Sequence, residues 1–130
     1  MLREELNQFI GCMDWTRYGQ TSQVIFSEGV AYLAKKAKAY WLIDAIASHI
    51  IHNRDYQQAC RRDPGFDYLH FWTLTVTGTA ATLVCVADLG KKPVVRQDIP
   101  FTDFPLDEIT IYCGNDGPRT PRKLFLPSEY

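Results

Sequence analysis

The apolar positions of this chain change their period halfway along it. Leu2, Leu6, Phe9 and Ile10 recur at helical spacing, with acids in the first turn and Gly11 as a stop, which predicts an amphipathic helix over residues 2–10. "CMDWTRYGQTS" then reads as a loop whose aromatics, Trp15 and Tyr18, pack back on the domain, and "QVIF" as a short strand. Ser27, followed by Glu28 and Gly29, has the chemistry of a helix cap with an acid near the positive end of the helix dipole. Val30, Leu33, Ala34 and Ala37 follow as one apolar stripe, with Lys35, Lys36 and Lys38 mostly on a solvated side.

From Ala39 the pattern is different. In "AYWLIDAIASHIIH", Tyr40, Ile43, Ala47, Ile50 and Ile51 share one face, while Trp41, Leu42, Ala45 and Ile46 fill most of the rest. A helix apolar nearly all round is buried on more than one side, so this run is the expected spine of the core. It is too short and too interrupted to span a bilayer, which needs about 20 predominantly apolar residues, and no membrane partner is expected. "NRDYQQACRRDPGFDY" should end it, with Asp63-Pro64-Gly65 as a turn, because proline fixes φ and glycine admits positive φ.

Beyond that stretch the period is two. "FWTLTVT" places Trp72, Leu74 and Val76 on one face and Thr73, Thr75 and Thr77 on the other, and "AATLVCVA" follows Gly78-Thr79. If those two residues form the turn, Trp72 opposes Cys85, Leu74 opposes Leu83, Val76 opposes Ala81 and Thr75 meets Thr82 outside. A slip of one residue would set Leu83 and Cys85 against threonines, so the hairpin specifies its own register. Asp88-Leu89-Gly90-Lys91 forms the next turn, "PVVRQDI" a third strand, "EITIYC" a fourth, "GNDGPRTP" a loop and "KLFL" a last edge strand. Helices first and strands after predict a single α+β domain over residues 1–130. Its N-terminal helices come first, and the longest packs on one face of an antiparallel meander of about four or five strands.

Composition adds bounds and no direction. The chain is 46% hydrophobic and 22% charged, and fourteen basic against fifteen acidic side chains leave a net charge of −1. No overall field draws it to nucleic acid or anionic lipid, and Arg61, Arg62, Arg119, Arg122 and Lys123 accompany no nucleic-acid motif, so nucleic acid is not an expected partner. "MLREELNQF" lacks the continuous apolar stretch of a secretory signal. Cys12, Cys60, Cys85 and Cys113 are widely spaced, which fits reduced thiols in a cytoplasmic protein.

Candidate chemistry gathers on the mid-chain helix. Asp44, Ser48 and His52 lie at i, i+4 and i+8 and supply the residue types of a hydrolase triad. In a working triad, however, histidine stands between serine and acid; here serine is central and roughly 12 Å of helix separates the acid from the histidine. The expectation is that Asp44 and Ser48 satisfy buried backbone or loop donors, with a small polar pocket as the alternative. His49 and His52, with Cys60 and His70 further on, lack the third and fourth ligands of a zinc site, so no metal is expected. Haem would need only an axial histidine and an apolar slot, and is kept as an alternative cofactor to none. "GKK" at 90–92 has no helix after it to present amides to a phosphate. In "IPFTDFPLDEITIYC", Phe101 and Phe104 bracket Thr102-Asp103, which reads as a loop pinned by two aromatics with both polar residues hydrogen-bonding the local backbone.

Gly29-Val30, the Ala-Tyr-Trp-Leu-Ile-Asp run from Ala39 to Asp44, the Phe-Thr-Asp-Phe-Pro-Leu segment from Phe101 to Leu106, and the Leu-Pro-Ser-Glu-Tyr end from Leu126 to Tyr130 resemble a family of small bacterial proteins. It is known as a domain of unknown function. The likeness spans nearly the whole chain. At the Asp88–Lys91 turn this chain departs from the family's Asp-Gly-Asn-Gly, so that tip is not expected to hold anything essential. The resemblance implies a single-domain bacterial protein and brings no activity or catalytic residue.

The expected function is therefore a non-enzymatic binding or interaction domain, acting on itself or on a protein partner. Trp15, Tyr18 and "LFLPSEY" supply apolar surface for it. The alternative is a small-ligand or haem-type binding protein, with Trp41, Asp44, Ser48, His49 and His52 beside the pocket. A small hydrolase using Asp44 or Asp103 is the third reading.

Overall fold

The computed structural model describes residues 2–11, 14–20, 23–88, 90–117 and 119–130. Cys12, with Met13, Thr21, Ser22 and Leu89, lies outside the described residues, and so do parts of the first loop and of the 88–91 turn. The chain runs α1 (Leu2–Leu6), β1 (Trp15–Arg17), β2 (Val24–Ser27), α2 (Glu28–Ala37), α3 (Tyr40–His52), α4 (Arg54–Arg62), α5 (Pro64–Tyr68), β3 (Leu69–Thr77), β4 (Ala80–Val86), β5 (Val95–Ile99), β6 (Glu108–Gly114) and β7 (Arg122–Phe125), closing on a 3₁₀ turn at Pro127–Glu129.

The α+β class holds, but the sheet is larger than expected and it is mixed. Among the described residues, seven strands lie in the order β1-β2-β7-β6-β3-β4-β5, with β2 parallel to β7 and every other pair antiparallel. The β3–β4 hairpin has the expected register: Trp72 faces Cys85, Leu74 faces Leu83, Thr75 faces Thr82 and Val76 faces Ala81. Its turn needs Gly78, whose φ of 63° a β-carbon would disfavour. The "KLFL" strand is not an edge. β7 is inserted between β2 and β6, so the strand nearest the C-terminus joins the N-terminal hairpin to the meander.

Four local readings are corrected. The first helix stops at Leu6 instead of residue 10, and Trp15–Arg17 is a strand instead of loop. The charged stretch after His52 makes two further helices. Asn53 caps α4 by accepting from the Tyr56 amide, and Asp63 caps α5 by accepting from the Gly65 and Phe66 amides, with Pro64 at the first helical position, where its missing N–H is harmless. The expected turn signal at 63–65 is thus a helix start. Tyr40 is the fourth correction: it opens α3 and is 56% exposed, whereas Ile43, Ala47 and Ile50 on the same expected face are buried.

The core lies between the helices and one face of the sheet. Val30, Leu33 and Ala34 of α2 and Leu42, Ile43, Ile46, Ala47 and Ile50 of α3 are buried with Val24, Phe26, Leu124, Ile111, Trp72, Leu74, Leu83, Cys85 and Val95 from the inward positions of the strands. The larger aliphatic and aromatic side chains among them each stabilise the fold by about 1.5–3 kcal/mol on burial.

At one end of α2 the structure shows why glycine stands at position 29. Ser27 caps the helix by accepting from the Val30 amide, and its hydroxyl donates to Glu129 Oε1 at 2.5 Å. The same carboxylate accepts from the backbone N–H of Gly29 and of Leu126, so it sits at the positive end of the helix, only 7% exposed, and ties the end of the chain to α2. A β-carbon on Gly29 would stand 2.6 Å from that oxygen.

Candidate functional site

The polar stripe of α3 faces outward. Asp44, Ser48 and His52 are all exposed; Asp44 answers a loop donor, as expected, by accepting from the Tyr18 hydroxyl at 2.8 Å, whereas Ser48 faces water and does not serve a buried one. His49 turns the other way. Its ring stacks on Trp72, Nε2 lies 2.7 Å from Gln97 Oε1, and Nδ1 lies 3.0 Å from Asn53 Nδ2. If the amide oxygen accepts and the amide nitrogen donates, His49 is a neutral imidazole carrying its proton on Nε2, with both nitrogens engaged. Trp41 is half-buried and meets Phe104 edge to face at 6.3 Å. Of the five expected pocket residues, Trp41 and Asp44 border the largest groove described, about 650 Å³ between α3 and the segment Gln97–Asp103; Ser48, His49 and His52 are not part of its wall.

That groove owes its far wall to the end of β5 and to the start of the Phe101–Leu106 segment. The Thr102 amide donates to the Thr79 carbonyl at 2.7 Å, and the buried Thr102 hydroxyl accepts from the Phe104 amide at 3.1 Å. Phe104 is buried, but Phe101 is not: it stands 74% exposed at the rim, with Asp103 beside it. Thr102 therefore does what the sequence suggested. Asp103 does not; it points a carboxylate at solvent.

A second polar centre lies inside the core. His70 Nδ1 is 2.7 Å from the Phe66 carbonyl, which can only accept, so that nitrogen carries the proton and Nε2 accepts from the Tyr56 hydroxyl at 2.9 Å. Burial pushes the Tyr56 phenol far above its ordinary range and holds His70 down at about 4, so both are neutral. Cys113 Sγ lies 3.9 Å from the same hydroxyl, and burial raises the thiols of Cys60, Cys85 and Cys113 alike, which makes them poor nucleophiles. Arg122 closes the outer side, donating to the Asp67 carboxylate and backbone carbonyl while its guanidinium covers the Tyr56 ring. Tyr56, His70, Asp67 and Arg122 are each matched to a neighbour, as in a core network, while among the described residues the Trp72 Nε1 beside them is buried without a hydrogen-bond partner. Sequence reading missed it because Tyr56 was placed in an irregular stretch.

The third feature is the outward face of the sheet. Ring contacts connect Trp15 to Phe125, Phe125 to Tyr112 and Tyr130, and Tyr112 to Phe71, with centroids 4.7–6.5 Å apart. Register puts Phe71, Tyr112, Phe125 and Val86 in one transverse row, and Thr73, Thr110, Val84 and Arg96 in the next. Among the described residues, the buried helix side chains meet the opposite face; Phe71, Tyr112, Val84, Val86 and Ile25 stay half-exposed, and Tyr130 is 73% exposed. Lys123 lies over the Trp15 ring and pairs with Asp116, and Arg96 pairs with Asp98 at 3.4 Å, so the charges beside the aromatics are largely matched. Of the expected interface residues, Trp15, Phe125 and Tyr130 belong to this face, whereas Leu124 and Leu126 are buried in the core and Tyr18 sits against Asp44.

The molecule is thus an α+β protein whose mixed sheet is covered by helices on one side and carries an aromatic row on the other. The chain belongs to the family described as Family of unknown function (DUF6876), whose model matches residues 1–130. Neither a curated protein nor a solved structure matches it. Among the described residues, no helix is long and apolar enough to cross a membrane, and no group of three or more His, Cys, Asp or Glu side chains is placed to hold a metal ion.

Proposed function

We propose that this protein is a non-enzymatic interaction domain that pairs with a second copy of itself through the open face of its sheet. The observation that carries this reading is the aromatic cluster on the sheet face away from the helices: Phe71, Tyr112 and Trp15 half-buried and Tyr130 exposed, gathered around a buried Phe125. Aromatic side chains and a matched polar rim are the composition of a protein interface. Two sheets stacked at about 10 Å would bury such a row on both sides.

The charge distribution favours a second copy over a nucleic acid. Lys123 and Asp98 are each already paired within the chain, but Arg17 stands at the β1 end of the face and Glu108 toward the other, so a two-fold axis in the interface can set one against the other. A net charge of −1 gives two copies little reason to repel and gives a polyanion little reason to bind. The remaining readings have weaker support. Haem beside α3 would require His49 to abandon both of its hydrogen bonds, and a hydrolase would need a base near Asp44 or Asp103, where the structure puts tyrosine and phenylalanine.

Light scattering over a hundredfold range of concentration tests the proposal. A mass rising from one copy to two supports it, and a Tyr112→Lys variant should remain at one. A chain that stays at one copy at millimolar concentration sinks it.

A further inference from the structure

The groove between α3 and residues 97–103 has no part in that pairing, and its walls are of a different kind. Trp41, Ile99, Pro100 and Phe101 make it apolar, while Asp44 and Asp103 stand at its rim. Two things make this more than a patch of exposed residues. The backbone behind Phe101 is fixed by the two Thr102 hydrogen bonds and by Phe104 packed against Trp41, so the exposed ring is held out on a rigid base. The space is also about 650 Å³, within the range of pockets that enclose a ligand larger than one side chain.

Aromatic rings attract a cation over their faces, and carboxylates at the same mouth add Coulomb attraction and accept its hydrogen bonds. The geometry points to an arginine- or lysine-bearing peptide segment as the occupant. Its charged head would lie between Asp44 and Asp103 with its alkyl stem along Trp41 and Phe101. An anionic occupant would meet two carboxylates, and a purely apolar one would desolvate Asp103 and leave Asp44 only the Tyr18 hydroxyl. Asp98 is not counted in this recognition, because Arg96 already pairs with it.

Amide chemical-shift mapping of the whole chain with a hexa-arginine amide peptide tests this. Shifts should centre on Trp41, Asp44 and residues 99–103, and Phe101→Ala or Asp103→Asn should each weaken binding about three- to fivefold. Both side chains are exposed, so these variants leave the fold in place. Asp55→Asn, an exposed acid on α4, should leave the affinity within about twofold, as expected for a surface charge away from the contact. Equal weakening by Asp55→Asn would reveal only general charge attraction and overturn the proposal. So would shifts scattered over the surface, no shifts at millimolar peptide, or equal affinity for single N-acetyl-arginine methylamide, which would mean a small amine and not a peptide.

Discussion

At the scale of single residues the structure explains two positions that sequence reading could note but not account for. Gly29 lies under the Glu129 carboxylate, and Glu129 is held by three donors, so neither group can yield easily. Gly29→Ala should therefore destabilise the fold by about 1–3 kcal/mol, as overpacking does. Glu129→Ala should cost a similar amount by orphaning the Ser27 hydroxyl and two amides. Because the alanine methyl at 29 clashes with Glu129 itself, the double variant should be less damaged than the sum of the two, and a urea-denaturation cycle measures that coupling. His70 carries a second prediction. Burial lowers its pKa to about 4 from 6.5, so the unfolded chain takes up the proton before the native state does. Stability from this group is whole above pH 6.5, falls as the pH drops toward 4, and changes no further below that, for a total of about 3 kcal/mol. In His70→Phe that slope should flatten, even though the variant is less stable throughout for want of a partner for Tyr56; denaturation midpoints across pH 4–7 show which.

Elements divide by how local their cause is. The β3–β4 hairpin was legible because the alternation of Trp72, Leu74 and Val76 and the glycine at 78 are contained in one short stretch, and only one register lets both halves face inward. Helix α2 was legible for the same reason, from Ser27 and an apolar stripe. Helix α4 was not, because its apolar signal is short: only Tyr56, Ala59 and Cys60, at i, i+3 and i+4, face the core in an otherwise charged stretch. Its signals were the caps: Asn53 before it, Asp63 and Pro64 after it. The α3 stripe was misjudged because an apolar helix suggests burial all round, yet its polar residues share the one side left in water. That difference is measurable. Ser48→Ala with His52→Ala should change stability by no more than about 0.5 kcal/mol, whereas Ile46→Ala, at a fully buried position, should cost about 2–5 kcal/mol. A large loss from the surface pair, read by the same denaturation experiment, would mean that the stripe holds the fold together.

At the scale of the whole molecule, what could not be read from the chain is what joins its distant parts. The parallel pairing of β2 with β7 links residues about a hundred positions apart, and no local pattern announces it. Its consequence is the aromatic row, because only β7 brings Phe125 between Trp15 of the N-terminal hairpin and Tyr112 of the meander. If that row is where two copies meet, folding and association are linked by mass action, and the midpoint of thermal unfolding must rise with protein concentration. Each tenfold increase should add about 1.4 kcal/mol per dimer to the free energy holding it folded, a shift of a few degrees for a chain of this size. Tyr112→Lys removes the central ring and sets like charges against each other across a two-fold axis, so its midpoint should not depend on concentration at all. Because Tyr112 is only half-buried, the isolated variant should still unfold cooperatively, which separates lost pairing from lost folding. A wild-type midpoint that stays constant from micromolar to millimolar concentration would show that the aromatic face serves something other than a second copy.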